Sequence, residues 1–326
     1  MESHHREAAY MAVEYEPTGE GIRVLGCLGD TPAVILPDEV EGRPVRELGS
    51  YAFSASRQET AGRLVYEIHP EWKLNQMGED RRICGDKLAE IYLPPSVERI
   101  GRYAFYGCEN LEIFHMTGGL KEVEGGAFVG CRKIRRLEVE CQEGAAGCLR
   151  QVLEDLPMEL EVAFLWKSSQ AVVIFPEFYE ESVENTPARI IEIHLHGSGS
   201  HYRQCFQNGQ LDFEAYDRRF VFAAANENPD VVMRIALARL RWPHRLLPEA
   251  RRQYVMYLRD QIEGAARQIL AAEDLEALKL LAAEQVLDGD NVERVLELSL
   301  ALKKTECTAY LMSLPFRKKA AKVFEF

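Results

Sequence analysis

The sequence predicts an α+β protein: a short solenoid of parallel strands in front and an all-α helical repeat array behind. Three observations carry this. A unit of 23 residues repeats in the first half, the hydrophobic period changes from two to about 3.6 after Asp212, and the later helical segments are joined by only a few residues. At 326 residues and 47% hydrophobic content, the chain can hold more than one core. Three parts are expected: 1–145, a solenoid with an N-terminal cap; 146–211, a mixed strand and helix cap and junction; and 212–326, the helical repeat domain.

The repeat is clearest where residues 88–110 superimpose on 111–133. Leu88 and Leu111, Phe105 and Phe128, and Cys108 and Cys131 are each 23 apart, and Ile134 opens a further copy. Each unit begins with a short alternating strand. Leu88, Ile91 and Leu93 point inward, as do Leu111, Phe114 and Met116, then Ile134, Leu137 and Val139. A second apolar set follows, ending in Ala104, Phe105 and Cys108 in one unit and Ala127, Phe128 and Cys131 in the next. One unit cannot close a core around these side chains, but stacked units can, by aligning them in columns. Phe and Cys at fixed phase are therefore read as core spines, since free cysteine is among the most buried residue types. An earlier copy occupies 33–53, and residues 11–30 are the natural N-terminal cap.

The motif is strand, proline, then "IG-x-x-AF-x-GC", carried by 93–108, 120–131 and 34–53. It resembles the BspA-type leucine-rich repeat family over roughly residues 20–140. The resemblance implies a curved right-handed leucine-rich-repeat solenoid with a parallel sheet on one face, used mainly for protein contacts, and a bacterial origin. Members are often secreted adhesins; with no signal-peptide core in residues 1–17, adhesion is not carried over. The pattern departs from strict register at 54–87. Phe53 and Phe105 are 52 apart, so this stretch is either a degenerate unit or a loop insertion.

After Glu140 the repeat fades. Residues 146–157 read as a helix, and 159–166, 170–176 and 188–196 as strands. Residues 175–190 hold several carboxylates and read as a solvated acidic loop. One cluster here could carry chemistry. His194 and His196 share a strand face, and His201 and Cys205 follow a Gly-Ser turn, so the four could ligate zinc. The Gly197–Gly199 turn with Arg203 could instead hold an anion. The competing account is a strand end, a turn and a helix start with polar edge residues.

From Asp212 the helical period takes over, with segments at 216–227, 231–242, 248–273 (one helix or two), 274–285, 291–304 and 305–314, and a last stretch at 315–324. Asp274, Asn291 and Thr305 stand where N-caps or first-turn residues belong. Short connections force antiparallel neighbours. Residues 279–281 and 310–312 match at a spacing of 31, near the ankyrin unit, so 260–314 resembles degenerate ankyrin-like repeats without the T-P-L-H turn.

Composition narrows the function. No apolar run reaches the length of a membrane helix, and with no signal-type core the expected location is cytoplasmic. The eight cysteines form no CxxC pair, which fits free thiols in a reducing compartment. Net charge is −13, and all of it lies in residues 1–211, where 21 basic residues face 34 acidic ones. Such a surface repels phosphate backbones, so a protein partner with a basic surface is expected rather than nucleic acid or membrane. No phosphate loop, dinucleotide fingerprint or Ser/His/Asp ordering is present. The reading is a non-catalytic binding scaffold without a cofactor. Its contact face is the outward side of the strands: Glu90, Tyr92, Ile113, His115, Arg136 and Glu138. The alternative is an enzyme with a metal or anion site around 194–205.

Overall fold

The computed structural model describes residues 12–56, 63–68, 81–143, 145, 147–185 and 190–315, with no side-chain description for 184, 185 and 190–192. The chain divides into two compact units, Met1–Asp212 and Phe213–Phe326.

The first unit is a β-solenoid. It opens with β1 (Ala12–Pro17), β2 (Ile22–Leu28), β3 (Ala33–Ile35), β4 (Glu39–Val40) and β5 (Arg43–Leu48). It continues through β6 (Leu64–Glu67), β7 (Arg82–Ile83), β8 (Glu90–Tyr92), β9 (Arg99–Ile100), β10 (Ile113–Thr117), β11 (Glu122–Val123) and β12 (Arg136–Glu140). Strands β3, β8, β10 and β12 lie side by side and parallel in one sheet. A second set, β2, β5, β9 and β11, is parallel in another. Both sheets turn their apolar residues inward, because the alternation of each strand puts every second side chain there. Ile91, Phe114 and Leu137 are fully buried at matched positions of the first sheet.

The aromatic column is present. Phe105 stacks on Phe53 with ring centroids 5.6 Å apart, and on Phe128 at 5.2 Å. A sulfur ladder runs beside it: the Cys108 thiol donates to the Phe53 carbonyl at 3.1 Å, and the Cys131 thiol to the Phe105 carbonyl at 3.2 Å. Burial pushes the Cys108 thiol far above its ordinary range and that of Cys131 up to about 12. These sulfurs are protonated donors, not nucleophiles. Successive turns touch backbone to backbone at Gly101, where a Cβ would lie 2.6 Å from the Ser50 nitrogen.

Direct stacking of Phe53 on Phe105 decides the nature of 54–87. It is an insertion, not a coil, because nothing separates the two rings. Its described parts return to the N-terminal hairpin: β6 pairs with β1 and β7 with β2, both antiparallel. The β1–β2 hairpin itself is antiparallel and lies against β5, so residues expected as a cap extend the second sheet.

Beyond β12 come α1 (Leu149–Glu154), β13 (Leu160–Leu165) and β14 (Gln170–Phe175). Strand β13 adds parallel to β12, and β14 folds back antiparallel, ending the parallel run. Next come β15 (Tyr179–Asn185) and β16 (Ile190–His196), an antiparallel pair, then α2 (Gly199–Arg203), β17 (Phe206–Gln207) and β18 (Gln210–Leu211). The acidic loop expected over 175–190 is thus largely a strand. Carboxylates on an exposed ribbon face water as readily as those on a loop, so composition alone misled.

The second unit is helical: α3 (Phe213–Arg218), α4 (Phe220–Asn226), α5 (Pro229–Arg241), α6 (Pro248–Asp260), α7 (Ile262–Ala271), α8 (Leu275–Ala283), α9 (Val292–Ala301) and α10 (Thr305–Ser313). Residues 248–273 are two helices, broken at Gln261. The structural repeat is 30 residues, not 31. Ile235, Ala265 and Val295 are all fully buried at this interval on α5, α7 and α9, and Leu281 and Leu311 match on α8 and α10. The αL residues that end α7 and α9, Glu273 and Lys303, keep the same phase. Asp274 caps α8 by accepting from the Ala277 nitrogen at 3.0 Å. Asn291 sits at the N-cap of α9 but bonds back to the preceding loop, and Thr305 opens α10. The stretch 316–326 lies outside the described residues. No helix among the described residues is long and apolar enough to cross a membrane.

Candidate interaction face

The outward positions of β8, β10 and β12 form two neighbouring rungs. Glu90, Ile113 and Arg136 stand in one register row, and Tyr92, His115 and Glu138 in the next. This brings together all six residues that alternation assigned to the contact face. A uniform interval of 23 residues is what aligns them.

Their side chains are linked by hydrogen bonds across the strands. Tyr92 donates its hydroxyl to Glu90, and its ring stacks on His115 with centroids 3.3 Å apart. His115 Nε2 lies 2.9 Å from Glu90, and its Nδ1 lies 2.7 Å from Glu138. Glu138 also accepts from Arg136 Nε at 2.7 Å, and Arg136 reaches on to Glu161 of β13. His115 is buried at 8% exposure, and the others are half-buried. The rungs are thus a self-satisfied polar network with apolar Ile113 among it, more rigid than a row of solvated side chains.

The contacts from His115 and then Arg136 lower the carboxyl of Glu138 from 4.5 to about 2, against the opposing effect of burial. A depressed folded-state value contributes stability above the unfolded value, and that contribution is lost as pH falls through about 2. The Glu138→Gln variant is expected to lose stability at neutral pH. Its stability should then fall less steeply than wild type between about pH 4.5 and 2. Urea midpoints measured across that range check it; parallel acid limbs would show that Glu138 is not held ionised.

Beside the rungs runs a groove of about 480 Å³, walled by Ile35, Leu93, Pro94 and Leu165. Among the described residues its charged members are Asp38, Glu138 and Glu140, with His115 beside them and no lysine or arginine. Glu161, Asp38 and Glu140 escaped the sequence reading. Glu161 pairs with Arg136 at an interval of 25, off the repeat, although the alternation in 159–166 marked the strand. Asp38 and Glu140 sit just past and at strand ends, where alternation no longer reports orientation.

The residues of the 194–205 cluster are not brought to one point. His196 faces Glu181 at 2.8 Å and stacks on Tyr179, both on the exposed ribbon, and His194 lies opposite Glu181 in register. His201 is on α2, and Cys205 is buried with its thiol on the His201 carbonyl at 3.4 Å. Among the described residues, no group of three His, Cys, Asp or Glu side chains is placed to hold a metal ion.

The anion reading fails on Arg203. Its guanidinium is buried, and all five donors are spent on carbonyls: Leu153, Leu156, Met158, Pro176 and Gly199, at 2.7 to 3.2 Å. Burial without a carboxylate partner draws its pKa down to about 10. Gly199 serves close packing, since a Cβ there would lie 2.1 Å from the Pro176 oxygen.

Comparison with known proteins agrees with the front half. The family model of the BspA type leucine rich repeat region matches residues 81–145. A leucine rich repeat protein of T. pallidum is 22% identical, with a TM-score of 0.21, over 39% of this chain and 68% of that one. A leucine rich cell surface protein from Faecalibacterium prausnitzii A2-165 is 14% identical, with a TM-score of 0.24, over 48% of this chain and 38% of that one. No curated protein matches. With the 23-residue rungs, the aromatic column and the sulfur ladder all inside or bordering the matched segment, residues 81–145 form a BspA-type leucine-rich-repeat region.

Proposed function

We propose that the protein is a non-catalytic interaction scaffold that docks a protein partner with a basic surface on the outer face of β8, β10 and β12. The observation that carries this is the two rungs themselves: a rigid, mixed face holding an aromatic, an aliphatic and several carboxylate side chains in register. The excess of acidic groups in residues 1–211 favours a basic partner over a nucleic acid. A reducing compartment belongs to this reading, supported by eight free thiols. The ankyrin-like character of the second unit belongs to it too, supported by helix pairs that recur at constant spacing.

The test is a double variant, Tyr92→Asp with Ile113→Lys. Capture of the native partner in a pull-down is expected to disappear while the far-ultraviolet circular dichroism stays that of wild type. Unchanged capture would remove this face from the account.

A further inference from the structure

The outer face treats its carboxylates in two ways. Glu90, Glu138 and Glu161 are each engaged by a neighbour from the same sheet. Asp38 and Glu140, in the adjoining groove, are exposed, and among the described residues neither has a basic side chain within ion-pair distance. Between them lie Pro94, just past β8, and Thr117 of β10, with the engaged pair His115 and Glu138 alongside; Leu165 of β13 borders Glu140 on its far side. Asp38 lies in the link between β3 and β4, and Glu140 is the last residue of β12. In the order β12-β10-β8-β3 the strands β3 and β12 are three spacings apart, which is about 14 Å. One lysine or arginine cannot bridge that span. Two can, if they are four residues apart on an extended chain, which covers about 13 Å.

We infer that this groove receives an extended peptide lying across the strands, with two basic side chains separated by three small or apolar residues. The inference rests on the outer face being a docking surface and adds the chemistry of what docks there. Asp38 takes one cation and Glu140 the other. The intervening residues cover Pro94 and Thr117, beside a third carboxylate, Glu138, that is already engaged by His115 and Arg136. Pro94 and Thr117 offer no counter-charge, which selects against a fully charged segment.

The experiment uses the full chain and a fluorescein-labelled peptide, Gly-Lys-Thr-Val-Thr-Lys-Gly, followed by fluorescence anisotropy. Saturable binding below about 1 mM is expected, weakening with added salt. The Asp38→Asn and Glu140→Gln variants should each lose about fivefold, and the double variant about twenty-fold. A control peptide with its lysines two residues apart should bind about fivefold more weakly, because only one carboxylate is reached. No saturable binding, equal binding of both spacings, or an unchanged affinity in the double variant would each overturn the inference. Partner capture by the Tyr92/Ile113 variant reports separately on the face itself. If capture is lost there while the peptide data are negative, only the basic two-point specificity falls.

Discussion

Replacing Asp217 with alanine is expected to destabilise the helical unit by about 3–5 kcal/mol, because it strands a buried guanidinium. Arg239 has no exposure at all, and Asp217 is 2% exposed. The pair is bidentate: Nε lies 2.7 Å from Oδ1 and Nη2 lies 2.9 Å from Oδ2. Tyr254 adds its hydroxyl to Oδ1 at 2.7 Å, and Arg239 also donates to the His244 carbonyl at 2.9 Å. The Phe213 ring covers the guanidinium with its centroid 5.1 Å away. A methionine at 239 together with leucine at 217 should be far milder than Asp217→Ala, since a buried ion pair exchanged for apolar groups is often close to neutral. Urea unfolding followed by circular dichroism measures both variants. A loss below about 1 kcal/mol for Asp217→Ala would mean that water reaches the guanidinium.

The Phe105→Ala variant is expected to lose about 3–5 kcal/mol from the solenoid unit. Phe105 is fully buried and sits in the middle of the column, stacked on Phe53 and Phe128 and edge-on to Phe114 at 5.6 Å. Its removal leaves a cavity that both neighbouring turns line. Those turns are held in place by backbone bonds on either side, Phe53 nitrogen to the Ala104 oxygen at 2.8 Å and Phe105 nitrogen to the Ala127 oxygen at 2.9 Å. The site therefore collapses little, and the cavity cost stays high. A Phe105→Leu variant should recover much of the loss. Equal stability of the alanine variant and wild type would show that the column does not couple the turns.

The two sites differ in how visible they were. Phe105 is legible because a core column repeats: the same residue type returns at the same phase. Arg239 was not. It occupies the column position that holds Ile269 in the next helix pair and Ser299 in the one after, so periodicity alone marks it as core without naming a partner. Asp217 is 22 residues earlier on another helix, a distance that no local pattern spans. The same holds for Arg203, whose five carbonyl acceptors come from Leu153 to Gly199.

By itself the sequence determined the solenoid, its inward and outward residues, the boundary where the helical period begins and the six members of the outer face. All of these follow from short-range periodicity, because strand alternation and helix pitch are properties of the backbone and show through in one dimension. Only the tertiary structure decided that 54–87 is an insertion, that the helix pairs repeat at 30 residues, that Arg203 is consumed by carbonyls, and that Asp38 and Glu140 flank one groove. Those facts depend on which distant atoms meet after packing, where the burial of a charge or the stacking of a ring is settled by neighbours that sequence spacing does not specify.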